Sequence, residues 1–214
     1  MTMRMRRATV LMAGLVSALP AMAATCPGTV VFQDAYTTPN PALNVAPAPE
    51  STVTVKDGKA EVVFLKQGMA RMGEYRGAPY GDVNVCLTFA TPSTDKAEDQ
   101  TAGIVFWATD DNNFYILEIT VNGQVAVGQQ VNGGAYPHPV PWAVNAAVAT
   151  GTGASNTLRV QTRGNVATVF VNDQQVGTAT GTPPPGGGLV GFYASSSVTS
   201  LSTWDVSGLT VATP

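Results

Sequence analysis

The stretch TAGIVFWATDDNNFYILEITVNGQVAVGQQV, residues 101–131, decides the fold. Runs of Val, Ile, Phe, Tyr and Trp are broken twice, at 110–113 and at Asn122-Gly123, and breaks of that composition between apolar runs read as the turns of a three-stranded antiparallel meander. Along 114–121 the side chains divide between two faces. Tyr115, Leu117, Ile119 and Val121 share one and are expected to point into a core; Phe114, Ile116, Glu118 and Thr120 share the other, which mixes apolar bulk with a carboxylate. An outer face this apolar predicts a central strand. Asn122-Gly123 predicts a type I′ turn with both residues at positive φ.

Outward from this stretch, the chain begins with Arg4, Arg6 and Arg7, an apolar run at 8–19 too short for a spanning helix, and Ala21-Met22-Ala23. That order is a secretory signal peptide with cleavage near Ala23, leaving 24–214 as one expected domain. The residues after Arg6-Arg7 do not continue as a twin-arginine signal, and Cys26 lacks the leucine of a lipobox. Without the three arginines the formal charge falls from −3 to −6, a poor match for nucleic acid or anionic lipid. The expectation is a secreted or periplasmic monomer without a membrane span. Two cysteines in an exported chain most simply pair, Cys26 with Cys86, the alternative being two independent buried thiols.

The remaining chain is β throughout. Residues 29–36 read as a strand, 38–50 as a Pro-rich surface loop, and 51–55 with 59–65 as a hairpin about Lys56-Asp57-Gly58. The Gly-rich segment 67–81, carrying Arg71, Glu74, Tyr75 and Arg76, reads as a polar loop. Residues 82–89 alternate cleanly as a strand. A long break at 132–153 holds Tyr136, His138 and Trp142. A second meander follows at 156–179, then the GTPPPGGG turn at 181–188 and two closing strands. No helical period of useful length follows the signal peptide.

Five segments carry a family resemblance: AGIVFWATDDNNFYILEI at 102–119, the turn at Gly123, NTLRVQTRGNVATVFVNDQQVG at 156–177, GLVGFYA at 188–194 and TWDVSGLTV at 203–211. In order and wording they resemble the concanavalin A-like jelly rolls, in particular bacterial laminin G-like domains. The resemblance implies an all-β sandwich of two antiparallel sheets, one concave, with ligands on the concave face or its rim loops. It implies no single activity, because the superfamily holds lectins, glycosidases, adhesion modules and scaffolds.

Candidate site residues follow from chemistry. Retaining glycosidases need two carboxylates about 5 Å apart, and those on this fold resemble E-x-D-x-x-E or E-x-D-x-E on one strand. Glu118 stands alone between Ile116 and Thr120, so a hydrolase would need a second acid from elsewhere, with Asp205 and Glu61 as candidates. His138 is the single histidine, in Pro137-His138-Pro139 with no marked nucleophile beside it, which leaves a loop imidazole or a lone base. Gly151-Thr152-Gly153 precedes no helix and is not a phosphate cradle. Asp110, Asp111 and Asn113 offer hard oxygens for Ca²⁺, against the plainer reading of a self-capped turn. Sugars stack on exposed rings beside polar groups, and Tyr75, Arg76, Trp107, Tyr136 and Trp142 supply both, with Glu118 and His138 as further ligand candidates; Trp107 lies within a strand, where the core reading takes precedence. The expectation is a binding module for a glycan or cell-surface polymer. The alternatives are an adhesion module that binds an envelope protein and a hydrolase that uses Glu118.

Overall fold

The computed structural model describes residues 26–90 and 99–214, so the signal-peptide segment and its cleavage site lie outside the described residues. The strands in chain order are β1 (Thr29–Asp34), β2 (Leu43–Asn44), β3 (Ser51–Lys56), β4 (Lys59–Phe64), β5 (Ala70–Tyr80), β6 (Asn84–Ala90), β7 (Thr101–Asp110), β8 (Asn113–Thr120) and β9 (Gln124–Gln130). They continue as β10 (Val140–Val144), β11 (Ser155–Arg163), β12 (Val166–Val171), β13 (Gln174–Thr180), β14 (Gly188–Ser195) and β15 (Thr203–Thr213). No helix is present among the described residues.

Two antiparallel sheets stack face to face. The seven-stranded sheet runs β10-β9-β8-β7-β14-β5-β2, and the eight-stranded one runs β13-β12-β11-β6-β15-β4-β3 with β1 on β15. The chain has the all-β, concanavalin A-like jelly-roll architecture that the motifs imply. Alternation along the strands fills the space between the sheets: Ile104, Phe106, Leu117, Ile119, Val127 and Phe192 meet Val62, Phe64, Leu87, Phe89, Val160 and Trp204. The Trp204 indole N–H donates to the Ser195 carbonyl at 3.0 Å, so its one polar atom is satisfied where burial would otherwise penalise it. Cys26 and Cys86 form the disulfide, which ties the start of the described chain to β6.

Four local readings change. The segment 67–81 is not a loop: its residues 70–80 form β5, paired along 70–75 with β14. Its glycines hide the alternation, and Gly73 is there because a Cβ would run into the Phe192 ring. The break at 132–153 contains the edge strand β10, where Pro141 is tolerated because a sheet edge needs no donor on its outer side. At Asn122-Gly123 only Gly123 has positive φ (92°), with its N–H donating to the Thr120 carbonyl, so the connection is a single-glycine turn and not type I′. Trp107 has φ 48° in a bulge where the β7–β8 register shifts. The bulge turns Phe106 and Trp107 into the same core, where Trp107 is 5% exposed and meets Tyr115 edge-on at 5.3 Å.

Candidate functional site on the outer face of the seven-stranded sheet

The outer face of β8 carries Phe114, Ile116, Glu118 and Thr120, as its alternation requires, and all four are buried. Their cover comes partly from the segment 132–139. It leaves β9 through a turn at Asn132 and Gly133, both at positive φ, and folds back over the sheet, with the Gln129 N–H bonded to the Pro137 carbonyl at 2.9 Å. Tyr136 then lies on the small apolar cluster of Val105, Ala108, Phe114 and Ile116. Its hydroxyl donates to Glu118 Oε1 at 2.7 Å. Gly128 makes this fit possible, since a Cβ there would stand 2.7 Å from the phenol oxygen and 3.0 Å from Glu118 Oε1.

His138 Nε2 lies 3.8 Å from the same carboxylate oxygen. The imidazole meets the Tyr136 ring edge-on at 5.0 Å and the Trp142 ring at 5.8 Å, so Tyr136, His138 and Trp142 form a continuous aromatic row beside Glu118. Four of the residues singled out in the sequence are thus gathered. Arg76 lies on the same face but apart from them, its Nη2 3.2 Å from Glu74 Oε2 and 3.3 Å from Asp111 Oδ1. Tyr75 and Trp107 leave the set of ligand candidates, because both point into the core, Tyr75 against expectation and Trp107 in the role its strand position favours. Tyr75 is 1% exposed, its hydroxyl donating to Asp34 Oδ2 at 2.7 Å.

The sequence reading passed over Glu74 as a binding group. It is 1% exposed on the outer face, one oxygen held by Arg76 and the other, Oε1, without a protein partner. Only strand assignment for 70–80 would have placed it there. Asp205 and Glu61 are on the outer face of the other sheet, bonded to Lys59 at 2.8 and 3.5 Å, and so do not serve as the second acid beside Glu118. Glu74 shares its face, but β14 and β7 stand between β5 and β8. Three inter-strand steps put the two backbones about 14 Å apart, against about 5–9.5 Å between the carboxyls of working glycosidase pairs.

Asp110, Asp111 and Asn113 are committed elsewhere. The Asn112 N–H and the Asn113 amide donate to Asp110 Oδ1, Asn113 Oδ1 accepts from the Asn132 N–H, and Asp111 pairs with Arg76. These bonds hold the Asp110 carboxyl below its usual range, the Asn112 N–H contributing most. The oxygens proposed for calcium therefore serve a self-capped turn, and among the described residues no group of three or more His, Cys, Asp or Glu side chains is gathered for a metal.

Burial pushes the Glu118 carboxyl up to about 7, with the hydrogen bonds from Tyr136 and Thr101 pulling the other way. Glu74 is also raised, again chiefly by burial. The sign for stability follows. As pH rises from the unfolded value of 4.5 toward about 7, the unfolded chain ionises Glu118 first, so the folded state loses stability across that window. The full loss for Glu118 is roughly 3 kcal/mol. Glu118→Gln keeps an acceptor for Tyr136, and it is expected to flatten much of the decline between pH 4.5 and 7.5 in thermal melts. An unaltered decline in the variant would place its origin in other groups, Glu74 foremost.

Two depressions open on this face. One, of about 290 Å³, is lined by Asn44, Arg71, Met72, Phe114, Gln130 and Tyr193, with Asp111 at its rim. The other, of about 370 Å³, is lined by Asp99, Thr101, Thr120, Gln124 and Trp142.

An open sheet face with an aromatic row and polar depressions defines a concanavalin A-like jelly roll with a candidate ligand surface on its seven-stranded sheet. Solved structures of the same fold include the apo Crh5 transglycosylase, with 16% identity over 88% of each chain and a TM-score of 0.60. The β-glucanase of Bacillus licheniformis matches 89% of this chain and 100% of its own at 12% identity and a TM-score of 0.58. The carbohydrate-binding module CBM66 of Bacillus subtilis matches 88% of this chain and 100% of its own at 12% identity and 0.51. At such identities the likeness is one of fold, and the laminin G-like subdivision rests on the sequence motifs alone. No protein-family model and no curated protein matches the chain.

Proposed function

We propose that the protein is an exported glycan-binding module that takes its ligand on the outer face of the seven-stranded sheet. The observation that carries this reading is the row Tyr136, His138 and Trp142 beside Glu118. Rings offer stacking surface to the C–H faces of sugars, while carboxyl, amide and hydroxyl groups bond their hydroxyls. Trp142 has such groups around it in Thr101, Thr120, Gln124 and Asp99. The charges favour an uncharged glycan. Glu74, Glu118, Asp99 and Asp111 outnumber Arg71 and Arg76 on this face, and Arg76 is already engaged by two of the acids. A uronate or sulfated chain would find no net positive charge there.

The similar folds support a carbohydrate ligand, one being a carbohydrate-binding module and others a transglycosylase and a β-glucanase. The spacing of Glu74 and Glu118 supports binding over hydrolysis. Export rests on the segment 1–23 and is in keeping with the disulfide.

Isothermal titration against neutral oligosaccharides is expected to give saturable heat, and Trp142→Ala is expected to weaken binding about tenfold or more, as removal of an aromatic anchor does. No heat across a neutral panel would overturn the glycan reading. Capture of an envelope protein that free sugar does not elute would then favour the adhesion alternative. Hydrolysis of any oligosaccharide, lost in Glu118→Gln, would favour the enzyme.

A further inference from the structure

The two depressions lie on one face, and each reaches β8 at one end, the first spreading from there across β14 to β5 and β2. Phe114 lines the first and Thr120 belongs to the second. Ile116 and Glu118, the same-face residues between them, are the ones that Tyr136 covers. Six residues of extended chain separate Phe114 from Thr120, about 20 Å. Without the Tyr136 side chain, the β8 face would be continuous from one depression to the other.

The covering segment is lightly held. Residues 132–135, Pro137 and Pro139 are exposed, and only Tyr136 and His138 turn side chains toward the sheet. Its backbone bonds cluster at the two ends: Asn132 and Gly133 bond to the β7–β8 turn, and Pro137 bonds to β9. Between them the Val131 N–H donates to the Ala135 carbonyl and the Gly134 N–H returns to the Val131 carbonyl, a tight turn within the segment itself. Its hold on the outer face of β8 is therefore the one phenol-to-carboxylate bond and the seat that Gly128 leaves for it. Segments with few buried contacts and exposed backbone sit at the low end of local stability. The proline pair about His138 limits the ways this one can rearrange, so it is suited to lifting as a piece. The groups facing Glu118 are Thr101 from β7, Tyr193 from β14, and Tyr136 and His138 from the segment itself. None is a lysine or arginine, so nothing else on the sheet neutralises the carboxyl when the segment leaves.

We propose that residues 132–139 form a strap that divides one long groove into two short ones, and that an extended glycan chain binds by displacing Tyr136 from Glu118. Short saccharides occupy a single depression with the strap down. A longer chain crosses the strap position, and its hydroxyls replace the phenol as donors to Glu118. This rests on the glycan reading above, but the strap itself can be read without ligand.

Gly128→Ala tests it. Glycine 128 does not have positive φ, so alanine fits the backbone, and its methyl takes the space of the phenol. Tyr136→Phe removes the hydrogen bond and keeps the ring. Hydrogen exchange of the free protein is expected to speed at the Gln129 and Val131 amides by tenfold or more in Gly128→Ala and less in Tyr136→Phe, with the β7 and β14 amides unchanged. In titrations with a neutral disaccharide and hexasaccharide, Gly128→Ala is expected to tighten the hexasaccharide several-fold and leave the disaccharide alone. Unchanged exchange in both variants would overturn the strap. A weakened hexasaccharide would overturn it too, by showing that the long chain needs the Tyr136 hydroxyl in its seat on Glu118. If exchange speeds as expected but no saccharide binds any form, the strap stands and the glycan reading falls.

Discussion

Replacing Trp107 with alanine is expected to lower stability by about 3–5 kcal/mol, the usual range for losing a buried tryptophan, which is roughly 6–20 °C in melting temperature for a chain of this size. The ring is seated from several sides. Phe106 and Tyr115 contact it at 5.2 and 5.3 Å, and Gly181 lies so close that a Cβ would stand 2.7 Å from the indole. A cavity there is lined by other aromatics that cannot collapse without breaking their own contacts. Trp107→Gly is expected to lose less than alanine does, because glycine accepts the φ of 48° without strain. Glycan affinity measured below the melting transition should be unchanged in both variants. Loss of affinity with unchanged melting would return Trp107 to the ligand surface.

Removing the crosslink is the second large effect. Cys26 and Cys86 are 60 residues apart, and a loop of that length contributes about 4 kcal/mol when closing it restricts the unfolded chain. The double substitution Cys26→Ser, Cys86→Ser is therefore expected to lower the denaturation midpoint and to steepen the slope, because the unfolded chain without the crosslink exposes more surface. Reduction of the native protein should reproduce the shift, and neither treatment should alter binding while the protein stays folded, since Cys86 lies in the other sheet from the Tyr136–Trp142 row. Indifference of the melt to reductant would mean that the crosslink closes a loop already ordered in the unfolded state.

The meander at 101–131 is legible because 114–121 alternates strictly and the turns carry Asx and Gly. Both faces of β8 were assigned from that alternation, and they are the faces observed. Legibility failed where small residues replace apolar ones. In β5, Gly73 and Gly77 interrupt the pattern, so composition alone reads a strand of the seven-stranded sheet as a loop. The consequence ran into the site: Tyr75 seemed available and Glu74 incidental, whereas pairing with β14 sends Tyr75 inward and Glu74 outward. For Trp107 the core role is legible from its place in a strand, but the bulge that seats it is not. A bulge reverses the facing of every later residue in a strand, and no composition marks it. Tyr136, His138 and Trp142 could be named from the sequence as rings in a long connection. Their meeting with Glu118 depends on the fold-back allowed by Gly128, a long-range fit that no local pattern encodes.

β1 lies antiparallel to the final strand, with Thr29 opposite Thr213, and Gly28 fits there because a side chain would collide with the Thr213 carbonyl. The polypeptide therefore enters and leaves the sandwich at neighbouring points on the eight-stranded sheet. A tag or companion domain fused next to Gly28 or Thr213 would join the molecule at the eight-stranded sheet, opposite the Tyr136–Trp142 row.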